Sequence, residues 1–406
     1  MNKKSKIFSL MFAGFLSISL LSGCGTKNNN SSDTSDDEII VWSYMMDNEV
    51  EAVDKIAQKW AEENNKKVKV IKDNSDFQNF LQAANSSKGP DIIFGIAHNN
   101  LGTFYKAGLL EEVPSNLVEK DKYVDSNVWD AVSYDGKPYA VPISMETYAL
   151  FYNKDKVKEI PKTMEELVKE AKTYGPNGFQ FSMNEFYYTA AFVQSYGGYI
   201  FGQKNGTTDA DDIGLANDGA IKAYTFLQDL VQKDKLMPAD ITSDIANSNF
   251  KSGNSIFYIS GPWDVNGFKD AGVNFGVTKI PKINNGEAKT FLGVQSAFVS
   301  SKSKNKDSSW ELLKYLKDNS SETLYETGNR LPVLKAELEK DNIKNNEYSQ
   351  AFIEQSKSAI PMPNISEIET VWEPLKNMTR IFNGEDPKTV SKDIEQGIKD
   401  AININK

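Results

Sequence analysis

IIVWSYMMDNEVEAVDKIAQKWAEENNKKVKV, residues 39–70, reads as strand, helix, strand. Ile39 to Trp42 form a β-prone apolar run. Val50, Val53, Ile56, Ala57 and Trp60 then recur at the spacing of one helical face, and Val68 and Val70 alternate with lysines. Gly89-Pro90 punctuates the next loop, after which Asp91-Ile92-Ile93-Phe94 reads as a further strand. A short uninterrupted apolar strand implies burial on both faces, so the stretch predicts a mainly parallel sheet in an α/β fold.

Working outward, Thr163 and Glu166 have the capping-box spacing for a helix through Ala171. Asp218 is expected to cap another, with Ile221, Tyr224, Leu227 and Val231 on its apolar face. After Ser308 the pattern is almost wholly helical: Trp310, Leu313 and Leu316 share one face, and later segments lie near 346–357, 367–383 and 388–404. No internal repeat of fixed period occurs.

At the N-terminus Lys3, Lys4 and Lys6 precede an apolar run from Ile7 to Leu21. That run is shorter than the roughly 20 residues of a membrane-spanning helix and has a signal-peptide profile over residues 1–23. Leu21-Ser22-Gly23-Cys24 resembles the bacterial lipoprotein box, which implies a diacylglyceryl group on Cys24, the only cysteine of the chain. Two acyl chains make such anchoring stable. Residues 24–37 are read as a flexible tether, because the stretch GTKNNNSSDTSDDE (25–38) has no aliphatic or aromatic side chain to offset the entropy of ordering it. Removing residues 1–23 leaves 406 − 23 = 383 residues, enough for two domains, and takes away three lysines, so the net charge moves from −10 to −13. Such acidity excludes nucleic acid as a partner.

The motifs of catalysis and metal binding fail on inspection. His98 is the sole histidine and Cys24 is committed to lipid, so the usual zinc sites and thiol nucleophiles lack ligands. No G-x-S-x-G occurs. Gly197 to Gly202 has phosphate-loop spacing but Gln203 stands where a lysine is needed. Asp209, Asp211 and Gly214 suggest a calcium loop in which Ile213 and Ala220 occupy ligand positions. No catalytic residue, metal or cofactor is assigned, and the chain is expected not to be an enzyme. What is abundant is aromatic and polar chemistry, with 22 Phe, 17 Tyr and 6 Trp. A sugar ring offers a C–H face that packs on an indole or phenol and an edge of hydroxyls that seeks carboxylates and amides.

Six ordered stretches are similar to the maltose/maltodextrin-binding proteins of the family 1 extracellular solute-binding group. They are Gly89–Phe94, Trp129–Val132, Glu146 with Tyr152–Asp155, Gly197–Tyr199, Gly261–Trp263 and Met362–Ile365. The resemblance implies a two-lobed periplasmic-binding-protein-like α/β fold with a hinge and an interlobe ligand cleft. One lobe would hold 38–144 and 296–332, the other 145–295 and 333–406. It also implies a monomer anchored at the outer face of the cell membrane that delivers maltose or maltodextrin to an ABC permease by hinge closure. Glu146 matches a carboxylate that binds sugar hydroxyls, Glu185 and Tyr187 an acid and aromatic pair lining the cleft, and Trp263 and Trp372 two stacking platforms. Asp47 matches a further acid if one residue is inserted after Trp42, and Lys376 stands where an arginine is usual. The segment Gly95–Asn100 departs from the pattern, lacking a tryptophan and carrying asparagines in place of an acid and an arginine. His98 is read as a structural loop residue beside the cleft. A glycoside hydrolase using Glu146 and Glu185, a polyamine-binding protein and an adhesin are the competing readings.

Overall fold

The computed structural model describes residues 38–405, apart from 87, 125–126 and 205–206. The expected signal peptide, Cys24 and the expected tether therefore lie outside the described residues. From Glu38 the chain forms β1 (Glu38–Ser43), helix α1 (Asp47–Glu63), β2 (Lys67–Lys72), β3 (Ile92–Ala97) and β4 (Val141–Glu146). It then enters a second sheet made of β5 (Ala149–Asn153), β6 (Phe179–Gln180), β7 (Phe257–Ser260) and β8 (Phe275–Thr278). It returns through β9 (Phe291–Val299), helix α3 (Lys306–Gly328) and β10 (Leu331–Pro332), with α2 (Phe186–Ser195) between β6 and β7 and a short β11 (Ile360–Pro361) after β10.

The first sheet has the order β10-β4-β9-β3-β1-β2, with β11 pairing to the start of β9; the second has the order β8-β5-β7-β6. Strands β1 to β4 run one way, while β9 lies antiparallel between β3 and β4, and β10 is antiparallel to β4. The mainly parallel sheet expected from the sequence is thus corrected to a mixed one. The reason is topological: a chain that leaves through β4 and comes back from the second sheet must enter the first pointing the other way.

Alternation along β3 shows why its apolar run is uninterrupted. Ile92 and Phe94 pack with Val53, Ala57 and Trp60 of α1 and Leu312, Leu313 and Leu316 of α3, whereas Ile93, and beyond the register shift at Gly95 also Ile96, face the other core with Phe80 and Phe104. All nine residues of β9 are buried. Local capping differs in detail from the expectation. Thr163 does accept the Glu166 N–H at 3.2 Å, but the Glu166 carboxylate reaches the Lys162 N–H instead of closing the box. The helix expected to be capped by Asp218 is capped by Asn217, whose side chain takes the Ala220 N–H at 2.8 Å. Among the described residues no helix is long and apolar enough to cross a membrane.

The two sheets are joined where Thr147 and Tyr148 link β4 to β5 and Thr290 leads into β9. Thr147 donates its hydroxyl to the Phe291 carbonyl at 2.8 Å, so its single proton is used and Thr290 donates to Thr147 Oγ1 at 2.7 Å. Both threonines are buried. The later chain crosses again near Asn364, whose carbonyl accepts from the Tyr134 hydroxyl at 2.6 Å and whose backbone lies so close to Gly102 that a Cβ there would come within 2.4 Å of it.

Candidate functional site

In open α/β sheets ligands bind beyond the carboxyl ends of the strands. Because β1 to β4 are co-directional, the ends of β1 and β4 share one edge, and β4 ends on Glu146 at the crossing into the second sheet. There Glu146 is paired in register with Gly293, where an added Cβ would meet its Cγ at 2.8 Å, so the bare backbone of β9 makes room for its stem. Its Oε2 is ion-paired with Arg330, and its Oε1 accepts from Gln295 Nε2 at 3.3 Å. Arg330 is itself shared: its Nε and Nη2 reach the two oxygens of Glu49 at 2.7 and 3.2 Å. Burial works against the guanidinium charge, but the Glu146 and Glu49 carboxylates more than offset it and raise its pKa.

Tyr187, on the first turn of α2, lies within reach of the Glu146 charge and among aromatic rings from the link between the sheets, the start of β9 and the turn after β7. Its ring lies 4.9 Å from Tyr148, 6.1 Å from Phe291 and 6.4 Å from Trp263. Its hydroxyl is shielded from solvent and finds no hydrogen-bond partner among the described residues. Burial, with the Glu146 charge adding to it, pushes the phenol well above its ordinary pKa, so it is a proton-bearing donor. Glu185, just before α2, is exposed and accepts from the hydroxyls of Ser182 at 2.7 Å and Ser243 at 2.8 Å.

Trp263 is 38% exposed. Its six-membered ring lies over Gly261, where a Cβ would sit 2.1 Å from it, so only glycine lets the indole rest flat on the chain. The short turn that carries it is fixed by Asp264, which accepts from Tyr258 at 2.9 Å, Ser260 at 2.6 Å and Asn247 at 2.9 Å.

The other sequence candidates stand apart from this group. Asp47 is exposed at the start of α1 and ion-paired with Lys72. Trp372 is half-buried against the core, and Lys376 is exposed and paired with Glu373. Among the described residues no hydrogen bond or ring contact joins these three to Tyr187, Glu146 or Trp263. His98 is fully buried, accepting the Val294 N–H through Nδ1 at 3.1 Å and donating from Nε2 to the Met362 carbonyl at 3.0 Å, which fits the structural role read from the sequence. A cavity of about 540 Å³ among the described residues, lined by residues such as Asn127, Tyr199 and Met362, includes none of the seven ligand candidates.

Glu49, Gln295 and Arg330 were not singled out from the sequence. For Arg330 a signal existed: it is one of two arginines among 46 basic residues, and an arginine kept amid lysines marks a place that needs its planar fork. Glu49 carries no such mark, looking like any acid of a helix's first turn.

Two α/β sheets with crossing strands, and acids and aromatics gathered where they cross, define a two-lobed periplasmic-binding-protein-like fold. The chain belongs to the bacterial extracellular solute-binding proteins, whose family model matches residues 55–350. It is 34% identical to the galactooligosaccharide-binding protein of Bacillus subtilis (strain 168), over 96% of this chain and 94% of that one. It is 30% identical to a maltooligosaccharide ABC transporter solute-binding lipoprotein of Streptococcus pneumoniae serotype 4, over 99% and 98%. Its fold matches the crystal structure of the maltose-maltodextrin binding protein of Alicyclobacillus acidocaldarius with a TM-score of 0.82 and 34% identity, covering 89% of this chain and all of that one.

Proposed function

We propose that this protein is the lipid-anchored solute-binding component of an ABC importer, which captures a maltodextrin-type oligosaccharide, performs no chemistry on it and hands it to a membrane permease as the lobes close. The observation that carries the reading is the Glu146–Tyr187–Trp263 group. It supplies a charged acceptor, a donor with a free proton and an exposed flat ring, which are what the edge and face of a pyranose require. Lobes of 38–144 with 296–332 and 145–295 with 333–406 meet at this group, and Asp47, Glu185, Trp372 and Lys376 complete the site as they approach. Closure is driven by the extra contacts the sugar makes in the closed form.

A second reading, a galacto-oligosaccharide as ligand, is favoured by the relative from Bacillus subtilis and by the missing tryptophan in Gly95–Asn100. Calorimetric titration with maltotriose, maltotetraose, galactotriose and putrescine at low and high salt separates the alternatives. Maltotriose is expected to bind with an affinity that hardly changes with salt. Galactotriose binding alone would move the assignment to the second reading. A salt-sensitive response to putrescine, or release of reducing ends from maltotriose in proportion to protein, would overturn both.

A further inference from the structure

The charged cluster under the proposed sugar acceptor has more structure than an acceptor needs. Glu49 is completely buried, and its Oε2 also takes the Met46 N–H at 3.0 Å. Helix α3 ends against it at Gly328, where a Cβ would lie 2.1 Å from Glu49 Oε1. The chain then turns through Asn329 in the left-handed conformation, φ 53°, and delivers Arg330 to the same carboxylate. Two glycines thus clear space for two acids, Gly328 for Glu49 and Gly293 for Glu146, and Arg330 is the only cation joining them among the described residues.

A buried pair that served stability alone would be balanced at Glu49 and Arg330. Here a third group is added, leaving the cluster one charge negative. Glu49 is sealed, while the Glu146 side chain keeps 15% of its surface and Arg330 14%, so of the two acids the one open to a ligand is Glu146. Arg330 and Gln295 each take one bond of its carboxylate, which has about four acceptor sites in all, so acceptor capacity remains.

We infer that Arg330 is a positioning residue of the binding site: braced on Glu49 through two nitrogens, it uses the third to hold Glu146 as a fixed, charged acceptor. This rests on the reading of Glu146 as a ligand contact, and the experiment separates the two. Maltotriose affinity is measured by calorimetry for the parent and for Glu146→Gln, Arg330→Gln, Arg330→Lys and the Arg330→Gln/Glu146→Gln double variant. Glu146→Gln is expected to bind at least tenfold more weakly and Arg330→Gln at least fivefold. Arg330→Lys should fall between parent and Gln, since an ammonium cannot grip both acids with the same fork. The double variant should bind within twofold of Glu146→Gln, because a residue that works through Glu146 has nothing left to position. Where Arg330→Gln fails to fold with Glu49 left charged and buried, the same cycle is run on Glu49→Gln/Arg330→Gln, which removes both charges and keeps the shape. Losses that multiply in the double variant, or parental affinity in the folded Arg330 variant, overturn the positioning role alone. Parental affinity in Glu146→Gln overturns the acceptor assignment and this inference with it.

Discussion

At the scale of single residues, two tryptophans with the same chemistry have opposite settings. Trp129 is fully buried against Tyr123, with ring centroids 5.0 Å apart, and Trp263 lies exposed over Gly261. Trp129→Ala is expected to lower stability by ~3–5 kcal/mol through the cavity it leaves. Trp263→Ala should melt close to the parent. A sugar contact of about 80 Å² at ~25 cal/mol per Å² is worth roughly 2 kcal/mol, so its affinity should fall some thirtyfold. Thermal melts and titration of both variants check this; a Trp263 variant that unfolds readily yet binds normally would return that side chain to the core. Both tryptophans sat in stretches quoted from the sequence, and their types were legible there. For Trp263 the resemblance implied an open setting, but residue type and spacing alone gave neither, because burial is decided by partners distant in the chain, as when Gly328 lies against Glu49 from 279 positions away.

At the scale of elements, the first three strands and several helices were legible from periodicity, but the strands of the second sheet, and which strand lies beside which, were not. No local pattern in Phe291–Val299 says that it inserts between β3 and β4 in the reverse direction. His98 shows what such pairing creates. Set in a short turn after β3, it ties β9 to the segment after β11, a conjunction invisible in a sequence where it is merely the sole histidine. Burial lowers its pKa from 6.5 to about 4, against smaller opposing contributions from its backbone partners. Since its folded pKa is below the unfolded one, the unfolded chain binds the proton more readily. The histidine's contribution is present above pH 6.5 and is lost as pH falls toward 4. Between pH 7 and 5 the loss should be about 2 kcal/mol. Urea unfolding at both pH values should show a stability difference smaller by about that amount in His98→Gln; an unchanged difference would mean the imidazole is not the group responsible.

At the scale of the whole molecule, length and the ordered stretches were enough to read two lobes. The proposed function has residues 24–37 as a tether between a lipid on Cys24 and the binding body, so anchoring and binding should separate. Cys24→Ser is therefore expected to move the protein from the membrane fraction into the medium, with maltotriose affinity and urea midpoint unchanged; retention in the membrane fraction would refute the lipid anchor. The order of the first sheet has a further consequence for how the molecule is made. Strand β9 lies between β3 and β4, yet roughly 200 residues separate it from β3. At about 5–20 residues per second of synthesis, that interval is on the order of 10–40 s. Until β9 emerges, the halves of the sheet have open edges and no common core. An extracellular protein has to be threaded across a membrane before it folds, and this topology postpones its own completion for that time.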